Sequence, residues 1–295
     1  MAPAEDDISI DEKRVYAGSA GRTDAYVATG TGIVRVSLSA DKIGAFDMVA
    51  RDPARDVAVC ARDEGADLVV AATADGLSVG AVGDDPAFEP VDDEPTVAVG
   101  GRRARNGTLV VAREGGAIER VVFEAGKTAI ASTTQIGSVA EPRAVDGGLV
   151  ASAEGVYRVG ENGVTDVGLD DARDVAGSGM PLAAIGAGFY WLGNGWMTVR
   201  EAATDAVAAD GDGHAMAVVD SDLLVHAGAG GEWGEETWAV ADLPVDETAV
   251  ALGYGPGISV VVTDAGTLCV DAGDGWRHQV VGVRDAAGVA LAVVE

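Results

Sequence analysis

The sequence contains very little lysine. Only three of its 20 basic residues are lysines (Lys13, Lys42 and Lys127), against 48 acidic residues, and the formal net charge is −28. Nucleic-acid binding is not expected, because it needs a basic surface that neutralises phosphates. Scattered carboxylates with few lysines are typical of a protein that stays soluble in multimolar salt, where screening acts within about 3 Å. A basic partner or a metal store is the functional alternative for this charge.

Cysteine and histidine are equally scarce. Cys60 and Cys269 lie in apolar, strand-like segments, which predicts buried free thiols rather than a disulfide. The three histidines, His214, His226 and His278, have no HxxxH spacing and lie far from both cysteines in sequence, so no local zinc signature is present. No Gly-x-Ser-x-Gly elbow occurs either. We therefore expect no cofactor and no metal, and whether the protein is an enzyme stays open, with the balance against it.

Long apolar runs are missing as well. None approaches the roughly 18 residues needed to span a bilayer. Residues 1–7 read MAPAEDD and lack the apolar core of a signal peptide. We expect a cytoplasmic protein that contacts no membrane, with residues 1–7 forming a disordered acidic tail.

The sequence does contain a repeat. A short apolar strand, a tight turn and a second strand recur seven times, and the helical period is nearly absent. The seven copies begin at Ala25, Leu68, Thr108, Leu149, Leu182, Ala215 and Ile258. A period of about 40 residues with four short strands per unit is the signature of a β-propeller. The sequence predicts an all-β fold in a single domain over residues 1–295, with seven blades of four-stranded antiparallel sheets, six or eight blades being the alternatives.

The two ends of the chain predict how the ring closes. Residues 284–294 begin a further repeat that does not finish, and residues 8–16 read as a strand with nothing before it. Open sheet edges are a liability that a propeller avoids by closure. We therefore predict that the ring is closed by N- and C-terminal strands, with residues 8–16 completing the blade that the C-terminal segment begins.

One outer turn carries a family resemblance. The segment Asp271-Ala272-Gly273-Asp274-Gly275-Trp276 resembles the Asp-box, or BNR-like, propeller repeat, although the leading serine of that motif is missing. The resemblance implies that the carboxylate caps a hairpin turn and that the tryptophan packs between blades. Together with the composition, the chain resembles a haloarchaeal β-propeller family, which implies a fold and no activity.

Four arginines are the candidate site residues. Arg55, Arg143, Arg173 and Arg284 stand near the predicted starts of innermost strands, three of them followed by aspartate. Guanidinium groups that converge on the central channel would bind carboxylate or phosphate in bidentate fashion. The alternative is that each arginine pairs with an acidic residue of the same or the next blade and holds the blades together.

Three functions remain open from the sequence. The first is a non-catalytic scaffold that binds a protein partner on one rim. In this case we expect a monomer in a halophilic cytoplasm. The second is a hydrolase or lyase that binds a small anionic or sugar substrate at the channel mouth through the four arginines. The third is a sensor of a small ligand or a metal.

Overall fold

The protein is built from antiparallel sheets around a central axis. The structure is a computed structural model that describes residues 21–101, 106–161, 163–227 and 231–294. The described residues form 28 strands in seven four-stranded sheets, with one short 3₁₀ turn at Glu235–Thr237. The predicted all-β propeller of seven blades is confirmed. The predicted acidic tail (1–7) and the predicted strand 8–16 lie outside the described residues.

Blades 1 and 3 contain the three nine-residue strands, which are the longest among the described residues. Blade 1 consists of β28 (Ala286–Val294), β1 (Arg22–Thr29), β2 (Gly32–Ser39) and β3 (Lys42–Ala50). Blade 2 consists of β4 (Ala54–Cys60), β5 (Leu68–Thr73), β6 (Gly76–Ala81) and β7 (Glu89–Pro90). Blade 3 consists of β8 (Thr96–Gly101), β9 (Thr108–Arg113), β10 (Ala117–Phe123) and β11 (Ile130–Ser138).

The other four blades follow in chain order. Blade 4 consists of β12 (Pro142–Asp146), β13 (Leu149–Ser152), β14 (Gly155–Val159) and β15 (Val164–Gly168). Blade 5 consists of β16 (Ala172–Ala176), β17 (Leu182–Ile185), β18 (Gly188–Leu192) and β19 (Trp196–Arg200). Blade 6 consists of β20 (Thr204–Ala209), β21 (His214–Val219), β22 (Asp222–Ala227) and β23 (Trp238–Val240). Blade 7 consists of β24 (Ala249–Gly255), β25 (Ile258–Thr263), β26 (Thr267–Asp271) and β27 (Arg277–Val280).

The seven predicted hairpins are the second and third strands of the seven blades. The second strands are apolar without alternation, and β5 and β9 are buried at every position, because both faces of a blade pack against neighbouring blades. The turn glycines are required by geometry. Gly32, for example, has φ +138°, and a Cβ atom there would lie 2.0 Å from the Ala50 carbonyl oxygen, so no other residue fits this turn without strain.

The ring is closed by strands from both ends of the described chain. Strand β28 pairs with β1 along its length, from Arg22–Val294 to Thr29–Ala286, and it contacts the innermost strands β4 and β24 on either side. The predicted closure by N- and C-terminal strands is confirmed. The N-terminal strand that pairs with the C-terminal one in the described residues is β1.

The core is divided among the seams between blades. The seam between blades 7 and 1, for example, buries Val27, Val36, Val260 and Leu268.

Both cysteines are buried and free, as predicted, and burial raises the pKa of the Cys60 thiol to about 12. None of the helices among the described residues has the length and apolar character of a membrane span.

One seam contains a buried ionic network. Arg113, at the end of β9, is 2 % exposed and donates from Nε to Glu119 Oε2 at 2.8 Å and from Nη2 to Asp92 Oδ2 at 2.7 Å. Its Nη1 donates to the Thr96 hydroxyl at 2.8 Å and to the Glu94 carbonyl at 3.0 Å. Asp92 follows blade 2, so this guanidinium ties blade 3 to the connection between the two blades.

Candidate functional site

The innermost strands enclose a central cavity of about 460 Å³. Three of the four predicted arginines line it, namely Arg55, Arg143 and Arg173. Each is the second residue of its innermost strand, in β4, β12 and β16 respectively. The repeat therefore brings residues from blades 2, 4 and 5 to one end of the channel, which we call the arginine mouth.

Two of these arginines belong to a row of alternating charges. Arg143 Nη1 donates to Asp171 Oδ1 at 2.7 Å, and Arg173 Nη1 donates to Asp205 Oδ1. Asp171 precedes the first strand of blade 5 and Asp205 lies in the first strand of blade 6, so each ion pair joins one blade to the next. The hydrogen bond from Arg143 holds the pKa of Asp171 below its usual value.

The third arginine joins blades 2 and 3 in the same way. Arg55 Nη1 donates to Glu114 Oε2 at 2.8 Å and to the Thr96 carbonyl at 3.3 Å. Glu114 lies in the turn between β9 and β10, and Thr96 begins β8. All three arginines therefore pair with an acidic residue of the following blade, which is the alternative that the sequence left open.

Arg284 lies apart from the other three. It is exposed in the connection before β28 and is not among the residues that line the cavity. A bulge in β4 pairs Ala54 with Thr73 and Asp56 with Ala72, and the corresponding bulge in β28 pairs Ala286 with Thr29 and Gly288 with Ala28. By this register Ala287, and not Arg284, occupies the position of Arg55.

The cavity wall also contains carboxylates that the sequence did not single out. Asp56 accepts hydrogen bonds from its neighbour Val57 N at 2.8 Å and from Val99 N of the next blade at 3.0 Å. Asp174 repeats this arrangement with Val175 N and Val207 N, both at 2.8 Å.

A third carboxylate lies further along the channel. Asp146 Oδ2 accepts from Gly177 N of the next blade at 2.6 Å. Strand β28, the innermost strand of blade 1, leaves space for the Asp56 carboxylate. A Cβ atom on Gly288 of this strand would lie 2.7 Å from Asp56 Oδ1. Each carboxylate therefore fixes a seam by accepting backbone N–H groups, and each stays in contact with the channel.

These carboxylates are poorly solvated. Burial raises the pKa of Asp56 to about 7 and that of Asp174 to about 7, although the backbone N–H donors act in the opposite direction. Burial also raises the pKa of Asp146. The other two carboxylates contribute a smaller upward shift at Asp56. We therefore expect Asp56 and Asp174 to take up protons near neutral pH, whereas free aspartate does so only in acid.

We expect stability to fall as the pH rises through 7. The pKa of Asp56 and of Asp174 is higher in the folded than in the unfolded chain, so their favourable contribution is complete below the unfolded value and is lost as the pH passes the folded value. The free energy of unfolding should be larger at pH 5.5 than at pH 8.5 by on the order of 4 kcal/mol, about 2 kcal/mol for each carboxyl. Urea titrations at a series of pH values measure it.

The aspartate variants locate the cause of that slope. Asp56→Asn combined with Asp174→Asn should flatten the dependence between pH 5.5 and 8.5, because the amides do not titrate. Asp75→Asn, in an exposed hairpin turn, should leave the slope intact. An equally steep slope in the double variant would show that other groups cause it.

The outer turn that resembles an Asp-box has a capped geometry. Asp271 Oδ1 accepts from Gly273 N at 2.7 Å and from Gly275 N at 3.1 Å. Trp276 packs against the core between blades 6 and 7. The assignment to Asp-box repeats stays a prediction.

Among the residues that the structure covers, no three histidine, cysteine, aspartate or glutamate side chains are grouped to hold a metal ion.

Solved structures resemble this chain in fold. The apo structure of AztD from Citrobacter koseri matches at 15 % identity, with a TM-score of 0.52, over 90 % of this chain and 84 % of that chain. YCF48 bound to D1 peptide matches at 14 % identity, with a TM-score of 0.58, over 92 % and 97 %. A chain of the nidogen/laminin complex matches at 10 % identity, with a TM-score of 0.57, over 92 % and 99 %.

The family is shown by sequence. No curated protein matches the chain. A family model described as "Beta-prop_HVO_0234:-like, beta propeller" matches residues 9–292, a range that extends into all seven blades. The chain belongs to the HVO_0234-like β-propeller family.

Proposed function

We propose that the protein is a non-catalytic scaffold that binds a protein partner at its outer edge, in the cytoplasm of a cell with high internal salt. The observation that carries this proposal is an exposed apolar pair, Phe46 and Met48, on the outermost strand of blade 1. Their exposed fractions are 42 % and 41 %. The partner segment that fits is an extended peptide with apolar side chains flanked by basic ones.

The pair forms a continuous apolar strip. Phe46 pairs with Val36 and Met48 pairs with Val34 across the β2–β3 ladder, so both side chains lie on the face that packs toward blade 7. Val34 and Val36 are buried in that seam, while Phe46 and Met48 extend the same face into solvent. Isolated exposed apolar residues are ordinary, whereas contiguous apolar surface bordered by polar residues is typical of contact sites.

Strand β3 also offers an unpaired backbone edge. It is nine residues long and pairs only with β2 among the described residues. An extended segment could add to such an edge through main-chain hydrogen bonds, with side chains reaching the apolar strip. Acidic residues outnumber basic ones by 48 to 20, so basic flanks on the partner would meet carboxylates at contact distance, where salt screens least. The peptide complex of YCF48 and the nidogen/laminin complex are consistent with protein binding by this fold.

The scaffold proposal is tested by variant-dependent capture. The tagged chain is expressed in its own host and isolated in the host's native salt, and the bound proteins are identified by mass spectrometry. Phe46→Ser combined with Met48→Ser should abolish recovery of the partner and leave the melting temperature within a few degrees of the parent, because both side chains are already exposed.

A matched control separates the strip from exposed methionine in general. Met197, on the outer strand of blade 5, is 49 % exposed, and Met197→Ser should retain the partner. Recovery that is unchanged in the double variant, or lost equally in Met197→Ser, would contradict the proposed site. Absence of a stoichiometric partner in the parent would contradict the scaffold function itself.

A further inference from the structure

We propose that Arg55, Arg143 and Arg173 form a binding site for a small di- or tricarboxylate at the arginine mouth. This goes beyond the scaffold function and does not depend on it, because the apolar strip lies at the outer edge and the arginine mouth on the central channel. The site binds its ligand and carries out no reaction in this proposal.

The argument begins with which nitrogens the ion pairs use. In all three arginines the hydrogen bonds come from Nη1 alone. Within the part of the chain that the structure describes, Nε and Nη2 of these residues have no hydrogen-bond partner. The N–H groups of Nε and Nη2 point in parallel from one side of the guanidinium, and this fork matches the two oxygens of a carboxylate. Three such forks are available around one cavity.

Other arginines that join blades fall into two groups. Arg120 and Arg277 each donate from one nitrogen, but neither lines the cavity, whereas Arg35 and Arg113 use every nitrogen within the protein. Arg35 uses Nε and Nη2 for Asp47 and Nη1 for the carbonyls of Gly83 and Asp84. Arg113 likewise uses all three nitrogens within the protein. The three arginines at the mouth are each anchored at one nitrogen and remain 37–39 % exposed.

The anchoring favours binding. Arg143 Nη1 is held by Asp171 at 2.7 Å and by the Ala172 carbonyl at 3.1 Å, which restrains the guanidinium before any ligand arrives. Side chains that are already restrained lose less conformational entropy on binding. The acidic partner therefore positions the fork while leaving it open.

The spacing of the forks and the size of the cavity select the ligand class. Arg143 and Arg173 come from neighbouring blades, while Arg55 comes from blade 2, separated from them by blade 3. Forks on separate blades suit a molecule with separate carboxylates better than one compact phosphate. A volume of about 460 Å³ lies within the range of small-ligand sites.

The charges that face the site predict how binding depends on pH. The facing charged groups are the three arginines, their partners Glu114, Asp171 and Asp205, and the wall carboxylates Asp56, Asp146 and Asp174. Tyr254 also lines the cavity, and burial raises its pKa further above neutral pH. Burial raises the pKa of the three wall carboxylates, so they become neutral as the pH falls. Because neutral neighbours repel an anion less, binding should be tighter at pH 6.5 than at pH 8.5.

Citrate binding measured by isothermal titration calorimetry tests the proposal. The full chain is titrated at fixed potassium chloride concentration at pH 6.5 and pH 8.5. Arg143→Lys and Arg173→Lys should each weaken citrate binding by about tenfold or more, because lysine keeps the charge and the ion pair but lacks the fork. Thermal melting of each variant shows that it is folded. Arg277→Lys, at an exposed outer ion pair with Asp41, should bind like the parent.

Three results would contradict the proposed site or its ligand class. No heat of binding from the folded parent at either pH would overturn the proposal, and so would unchanged affinity in the Arg143→Lys and Arg173→Lys variants. Inorganic phosphate that binds as tightly as citrate would overturn the assignment to multiple carboxylates. The scaffold function is unaffected by these results, since its test depends on Phe46 and Met48.

Discussion

Replacing Arg113 by methionine should lower the free energy of unfolding by about 3–5 kcal/mol. Methionine fills much of the volume of arginine but supplies none of its donors. Glu119 and Asp92 would lose the guanidinium that they share at 2.8 and 2.7 Å, and the side chain of Glu119 is only 11 % exposed. A buried carboxylate without its partner carries its full desolvation cost.

The measurement is equilibrium unfolding in urea at fixed salt. Arg277→Met is the matched control, because this arginine is 61 % exposed and a surface ion pair contributes about 0–1 kcal/mol. If Arg113→Met does not fold, Glu119→Gln provides a milder disruption of the same network and should still cost more than the control. Equal losses for Arg113→Met and Arg277→Met would show that burial adds nothing to this network.

Removing strand β28 should abolish the cooperative fold. A chain that ends before Ala286 loses the innermost strand of blade 1, which pairs with β1 from Arg22 to Thr29 and also packs against β4 and β24. The fully buried side chains of Tyr26 and Val27 would become accessible at a new sheet edge. The effect exceeds that of any single substitution, because two seams and one ladder disappear together.

Near-ultraviolet circular dichroism and thermal melting measure this loss. A synthetic peptide of residues 285–294, added to the truncated chain, should restore the melting transition in a concentration-dependent way, as binding to the folded state requires. A peptide of the same composition in scrambled order should not. A truncated chain that melts like the parent would show that the ring does not depend on β28.

The repeat made most of the fold predictable. Each hairpin combines an apolar strand with a tight turn, so strands such as β5 and β25 are visible from local sequence alone. The closing strand was predictable for another reason, because residues 284–294 repeat the pattern of an innermost strand. The pairing of this strand with β1 was not predictable, because the geometry of ring closure determines it and the local sequence pattern does not.

The arginine mouth was predictable only in part. The Arg-Asp pair singled out Arg55 and Arg173, which line the cavity. It also singled out Arg284, where the same two residue types occur before the bulge that sets the register. The acceptor roles of Asp56 and Asp174 could not be read from sequence. Their hydrogen-bond donors, Val99 and Val207, lie in the following blades, and ordinary valine residues give no sign that their N–H groups are shared.

The closure through β28 has a consequence for how the chain reaches its native state. Blade 1 joins segments that are separated in sequence by all six other blades, so its last ladder is a contact of very long sequence separation. Such contacts are slow to form because the intervening chain must first be ordered. During synthesis, strand β1 is made early and waits with one edge unpaired until β28 has been translated. Refolding should therefore end with a slow phase set by ring closure, and the open-ring intermediate that precedes it is the species most exposed to association with other chains.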